Sequence, residues 1–313
     1  MTHRLVIEHK AGSLSSDNPG MDEATSKVLS RTGAPPPNAA SRGVEHYENF
    51  PVASFLCPPA LRPPIAAIYW FARTADDLAD EGDAPPQARL ADLAAYRADL
   101  AACASNRPVS ARWPWVFGSL GVAIEQFSLP VNLLADLLSA FEQDVVKTRY
   151  ANSAELLDYC RRSANPVGRL LLHLYEVKDS ASLAQSDCIC SALQLINFWQ
   201  DLSVDIPRGR IYLPADAWAS HGVTEAQLLA RLVNPATTAL VAANLAWARS
   251  LMRSGAPLVK TVSGRGGWEL RLVVQGGLRI AEKIEALDFA TLVQRPKLRP
   301  WDGLMMVGHA LSM

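Results

Sequence analysis

No apolar run of about 18 or more residues occurs in this 313-residue chain, so no membrane-spanning helix is expected. Charge of neither sign dominates, with 30 Lys and Arg against 31 Asp and Glu. A nucleic-acid partner, which would call for a basic surplus, is therefore not expected. Cysteine is scarce: the five residues Cys57, Cys103, Cys160, Cys188 and Cys190 are odd in number and lack metal-finger spacing. They read as reduced, mostly buried thiols of a cytoplasmic protein. The N-terminal residues lack the apolar core of a secretory signal. Alternating strand patterns, internal repeats and a strand–GxGxxG–helix unit are missing as well.

What the chain does have is helical periodicity. Residues 1–42, with Ser, Asn, Gly and Pro35-Pro36-Pro37, read as a disordered leader. Residues 43–313 read as one all-α domain of about 8–10 helices. Its 49% hydrophobic content supplies a large core. Pro63 and Pro64 suit the first turn of a helix running to Gly82. Further helices are expected over 86–104, 113–127 and 131–150. Ser153 is expected to cap the next, through Arg162, before Asn165-Pro166 breaks the chain ahead of 167–177. A long apolar helix follows over 187–206, then three more near 236–254, 266–287 and 301–311. The last of these reads either as a helix completing the core or as one resting on a bilayer.

Acidic residues are distributed less evenly than composition suggests. FARTADDLADEG, residues 71–82, places Asp76, Asp77 and Asp80 on one helical turn. Spacings of i,i+3 and i,i+4 bring their carboxylates to one face, where they repel. Arg73 and Tyr69 lie on the turns before them. In NFWQDLSVD, residues 197–205, Asn197, Asp201 and Asp205 recur at i, i+4, i+8 within an otherwise apolar helix. A single Asp-x-x-x-Asp is usually a solvated helix face; two such rows, each in an apolar helix, point to a shared cavity. Oxygen ligands without His or Cys select a hard cation, Mg²⁺ or Mn²⁺, and such ions grip phosphate oxygens. Arg73, Lys147, Arg149, Arg208 and Arg210 stand in or near these segments and suit the remaining phosphate charge.

These residues resemble the squalene/phytoene synthase family. The resemblance covers about residues 44–285. It rests on Asp76-Asp77-x-x-Asp80 after Arg73, on Asn197-x-x-x-Asp201-x-x-x-Asp205, on Lys147-Thr148-Arg149-Tyr150, on Tyr159-Cys160 and Pro166-Val167-Gly168, and on Arg210-Ile211-Tyr212-Leu213-Pro214. The implied fold is an isoprenoid-synthase-type helical bundle around a central cavity, with two Asp-rich helices facing each other. The implied metal ligands are Asp76, Asp77, Asp80, Asn197, Asp201 and Asp205. Implied catalytic residues are Asp76, Asp80, Asp201, Asp205 and Tyr150. The implied substrate-binding set is Ser54, Tyr69, Arg73, Lys147, Arg149, Val167, Gly168, Asn197, Gln200, Arg210 and Tyr212.

Within the family, His46–Ser54, Ser163–Gly168 and Asn197–Asp201 are most similar to the bacterial branch that forms hydroxysqualene from presqualene diphosphate and water. That branch implies Mg²⁺ (or Mn²⁺), no NADPH, and neighbouring enzymes that supply the substrate and consume the product. A cytoplasmic place, with peripheral contact at the inner membrane, goes with so apolar a substrate. Many members carry Arg before the first Asp of the second motif, where this chain has Gln200. A lighter phosphate load, one diphosphate rather than two, fits that change. Candidate aromatic faces for a carbocation are Phe50, Tyr69, Tyr150, Phe198 and Trp199. Asn165–Gly168 is expected to open a helix for an isoprenoid tail. The alternatives are a sibling squalene, phytoene or presqualene diphosphate synthase, and a non-catalytic assembly factor, which would be expected to lose the acidic rows.

Overall fold

A computed structural model describes residues 56–313. The leader, Phe50, Ser54 and the rest of His46–Ser54 lie outside the described residues. Among those described there are thirteen α-helices and no strand beyond one isolated bridge. They are α1 (Arg62–Asp80), α2 (Pro86–Ala104), α3 (Pro114–Phe127), α4 (Val131–Val146), α5 (Ser153–Ser163), α6 (Asn165–Leu174), α7 (Ser180–Gln200), α8 (Leu202–Asp205), α9 (Ala215–Ser220), α10 (Glu225–Leu229), α11 (Pro235–Gly255), α12 (Gly264–Glu285) and α13 (Pro300–Leu311). The excess over the expected number comes from the short α8, α9 and α10, too brief to show a period in sequence.

Local chemistry sets the ends. Pro63 and Pro64 open α1, whose missing N–H groups cost nothing in a first turn. The start of α5 is capped by Asn152, not Ser153: Asn152 Oδ1 accepts from Glu155 N at 2.9 Å. Asp179 caps α7 in the same way through Ser182 N, so that helix starts earlier than its apolar stretch.

Two further boundaries depart from expectation. Helix α4 stops at Val146, and 147–150 run extended. Ile211 N donates to Thr148 O at 3.0 Å and Ala215 N to Tyr150 O at 2.9 Å, a pairing across some sixty residues that outcompetes another helical turn. The helix expected over 187–206 is also not continuous. It ends at Gln200; Asp201 leaves helical geometry (φ −100°, ψ 11°) before the four-residue α8 and a 3₁₀ turn at Ile206–Arg208. Gly209, at φ 81°, then reverses the chain, a conformation that suits glycine.

The core divides into two apolar clusters. Ile65, Ile68 and Phe71 of α1 pack with Tyr96, Phe117 and Leu134 in the first. Ile189, Ile196 and Trp199 of α7 pack with Leu245, Val274 and Ile280 in the second. Helix α6 spans both, giving Leu170 and Leu174 to the first and Leu172 to the second. It can lie this close to α7 because residue 168 is glycine: a Cβ there would overlap Ser186 Oγ and Cys190 Sγ. Ser191 Oγ also donates to the buried Asn165 Oδ1 at 2.9 Å. Around Pro166–Gly168 the break between α5 and α6 is thus a tight helix–helix seat. The acidic turn of α1 meets the turn after α8 at the seam between the clusters, where Arg210 lies on Asp80.

Candidate active site

A small cleft at that seam is lined by Asp76, Ala79, Asp80, Asp144, Tyr159, Arg210 and Tyr212. It gathers side chains from α1, α4, α5 and the turn after α8. Asp76 is buried on α1, and Asp80 follows one turn later. Arg210 connects the two acidic segments. Its guanidinium Nη2 lies 2.5 Å from Asp80 Oδ1, while its backbone N donates to Asp205 O at 3.0 Å.

Asp77 is absent from the cleft lining. Arg73 Nη2 holds it at 2.6 Å and also reaches Glu81 at 2.9 Å, with Nη1 3.5 Å from Asp76. Burial pushes the Asp77 carboxyl up to about 6, against the opposing pull of Arg73. The three carboxylates of the first motif therefore do not act as one set: 76 and 80 face the cleft and 77 faces Arg73.

In the second row Asn197, Asp201 and Asp205 are all buried. Asp201 is gripped by Arg295, Nε to Oδ1 at 2.5 Å and Nη2 to Oδ2 at 3.1 Å. Gln200 is 2% exposed, and its Nε2 donates to Pro296 O at 2.8 Å, fastening the same segment. Among the described residues, no three His, Cys, Asp or Glu side chains stand together as a metal site. Guanidinium groups sit against the carboxylates instead. The donor set still fits a hard cation, since it is all oxygen. Asn197 Oδ1 is buried and accepts no hydrogen bond among the described residues, an oxygen left for a ligand.

An aromatic wall stands behind the acids. Phe198 stacks on Tyr212 with centroids 3.8 Å apart and planes 8° from parallel. Tyr150 stacks on Tyr212 at 5.8 Å and meets Tyr159 edge-on at 5.7 Å. Tyr159 Oη donates to Asp144 Oδ2 at 2.8 Å, and Gln143 Nε2 donates to Tyr150 Oη at 3.2 Å. Burial, then the Asp144 charge, drives all three phenols well above their ordinary value, so they stay neutral.

Other candidates lie elsewhere. Lys147 pairs with Glu155. Arg149 pairs with Glu225 at 2.8 Å and donates to Gly209 O, joining α4's end to the turn that carries Arg210. Tyr69 packs edge-on to Trp70 at 5.2 Å, and Trp199 is buried in the second core cluster. Val167 is half-buried beside the Gly168 seat.

Asp144 and Arg295 escaped the reading of the sequence. Asp144 had a signal: it stands three residues after Phe141 and seven after Leu137, on the buried stripe of α4. Arg295 had none, being 94 residues from its partner in an aperiodic segment.

A model of the squalene/phytoene synthase family matches residues 44–302. The chain is 34% identical over 248 residues to the hydroxysqualene synthase of Sinorhizobium fredii, spanning 79% of this chain and 81% of that one. It is 30% identical over 266 residues to the phytoene synthase of Thermus thermophilus, spanning 85% and 88%. Among solved structures, squalene synthase HpnC from Alicyclobacillus acidocaldarius superposes with a TM-score of 0.73 at 32% identity, over 80% of this chain and 93% of that one.

Proposed function

The chain belongs to the squalene/phytoene synthase family, and from that premise we propose that it converts presqualene diphosphate and water to hydroxysqualene and diphosphate. The likeness to hydroxysqualene synthase over about four-fifths of both chains carries this reading. The cleft suits it. Asp76 and Asp80 of its lining, with Asn197, Asp201 and Asp205 of the buried second row, would hold Mg²⁺, which when bound neutralises the leaving diphosphate.

The chain's own residues account for the rest. Arg73, Arg210 and Arg295, each lying on a carboxylate, are the guanidinium groups that would bind phosphate oxygens. The neutral phenols of Tyr159 and Tyr212 line the cleft and present π-density to a carbocation without offering an anionic nucleophile. The buried apolar surroundings keep stray water out until one molecule captures the cation. Substrate and product of this size partition into bilayers, and peripheral contact with a membrane goes with this reading. NADPH is not required, since water rather than hydride ends the reaction.

A second reading, condensation of two prenyl diphosphates, is favoured by the similarity to phytoene synthase. One assay separates them. Purified protein with Mg²⁺, presqualene diphosphate and no NADPH should release a C30 alcohol and diphosphate. In ¹⁸O-water the label should enter the alcohol, because the substrate's own oxygen leaves on the diphosphate. Squalene formed only when NADPH is added would overturn the proposal.

A further inference from the structure

Helix α13 has two unlike faces. Asp302, Met306 and Ala310 are buried against α12. Arg279 Nε lies 2.7 Å and Lys283 Nζ 2.9 Å from the Asp302 carboxylate, and Arg299 N donates to it at 2.6 Å. At the other end Arg271 Nη1 donates to Ala310 O. Two attachments thus fix which face points out. The outward face carries Trp301, Leu304, Met305, Val307 and Leu311, with Leu304 78% exposed. A Cβ on Gly308 would meet nothing within 4 Å among the described residues, so this face is open at its middle. At 12 residues the helix is about 18 Å long, too short to span a bilayer.

Basic residues flank this face at both ends, while the acids near it, Glu282 and Glu269, are half-buried and Glu282 is paired with Arg279. Lys297 and Arg299 are exposed just before α13, and the Arg299 guanidinium lies 5.1 Å over the Trp301 ring. Beyond its far end Trp268 is exposed, with Arg271 5.1 Å over its ring and Arg265 exposed nearby in sequence. The only acid in residues 289–313 is Asp302, which is buried; Glu269 beside Trp268 is half-buried.

The geometry points to α13 as a docking face for an anionic lipid surface, lying in the plane of the headgroups with Trp301, Leu304 and Leu311 in the acyl boundary. Tryptophan and arginine at both ends of an uncharged stripe suit that interface, where apolar bodies are buried and cationic heads stay with phosphate. A second copy of the chain suits it less well. A two-fold pairing of this face would bring basic rims at both ends onto one another, whereas anionic headgroups neutralise them. The choice of lipid rests in part on the reaction proposed above, whose C30 substrate and product dissolve in bilayers.

The full chain should co-sediment with vesicles of phosphatidylglycerol, weakly with phosphatidylcholine, and less in 1 M salt. Leu304→Glu/Leu311→Glu and, separately, Lys297→Glu/Arg299→Glu should each lower partitioning about tenfold while retaining the wild-type circular dichroism and melting temperature. Failure of the wild type to bind either vesicle would overturn the proposal, as would binding that Leu304→Glu/Leu311→Glu leaves unchanged. So would a wild-type dimer in sedimentation velocity that the same double variant dissociates. Turnover of detergent-dispersed substrate is measured in parallel and should be unchanged in Leu304→Glu/Leu311→Glu. Its absence from the wild type would count against the reaction alone.

Discussion

Arg295 lays two edges of its guanidinium on Asp201, Nε to Oδ1 at 2.5 Å and Nη2 to Oδ2 at 3.1 Å, closing a span of 94 residues. The carboxylate is 6% exposed in its side chain and the guanidinium 19%, so solvent screens the pair weakly. A divalent ion that uses Asp201 must share it with, or take it from, this cation. Arg295→Ala should therefore raise the affinity for Mg²⁺ or Mn²⁺ in the absence of substrate, by roughly tenfold. The metal-free variant should lose about 1–3 kcal/mol, because a buried carboxylate is left without its partner. Calorimetric titration and metal-free melting read the two effects. Unchanged metal affinity would show that the ion binds elsewhere.

Asp201→Asn and Asp80→Asn should each reduce turnover more than a hundredfold. On sequence grounds, neutralising one of the crowded carboxylates relieves repulsion and leaves the fold intact. The ion pairs reverse that sign. Asp80 faces Arg210 at 2.5 Å and Asp201 faces Arg295. Each Asn variant takes the charged partner in that ion pair from a half-buried guanidinium, and a loss of about 1–3 kcal/mol is expected in metal-free melting. A rise in melting temperature would mean that repulsion from Asp76 and Asp77 dominates after all.

The contrast marks how far the sequence could be read. Helices α1, α4, α7, α11 and α12 were legible because their apolar stripes recur with the helical period over many turns. Asp76, Asp80, Asn197 and Asp205 were legible as candidates because acids in apolar helices are costly without a partner. What stayed hidden depends on distant pairing. The extended run at 147–150 exists through Ile211 and Ala215, and the break at Asp201 sits beside Arg295 and Pro296. No local propensity encodes either contact.

Asp302 offers a pH test away from the cleft. Its burial favours the neutral acid, yet bonds from Lys283, the Arg299 N–H and Arg279 outweigh that cost and lower its pKa below the ordinary 3.8. A carboxyl depressed on folding contributes stability above its unfolded value, and that stability is lost as pH falls through the folded value. Asp302→Asn should cost about 2–4 kcal/mol at pH 7, since Arg279 and Lys283 lose their shared counter-charge. The gap between variant and wild type should narrow once the pH falls below about 4. Denaturant melts from pH 7 to pH 3 provide the check, and a gap constant across that range would exclude the ionised carboxylate as its source.

Gln200 ties the end of α7 to the segment that carries Arg295. Its Nε2 donates to Pro296 O while the residue is 2% exposed, and the neighbouring Arg295 already supplies a cation at Asp201. Arginine at position 200 would place a second guanidinium in a dry site beside the first. It would either repel Arg295 or take Asp201 from it, and in both cases the bond to Pro296 changes. Gln200→Arg should cost about 2–4 kcal/mol and speed amide exchange at Leu292 and Leu298, which pack near that segment's ends. On the one-diphosphate reading, the wild type should form little presqualene diphosphate from farnesyl diphosphate alone, while turning over presqualene diphosphate itself. Product analysis of the two incubations decides the matter: efficient condensation by the wild type would overturn the one-diphosphate reading, whatever the variant does to stability.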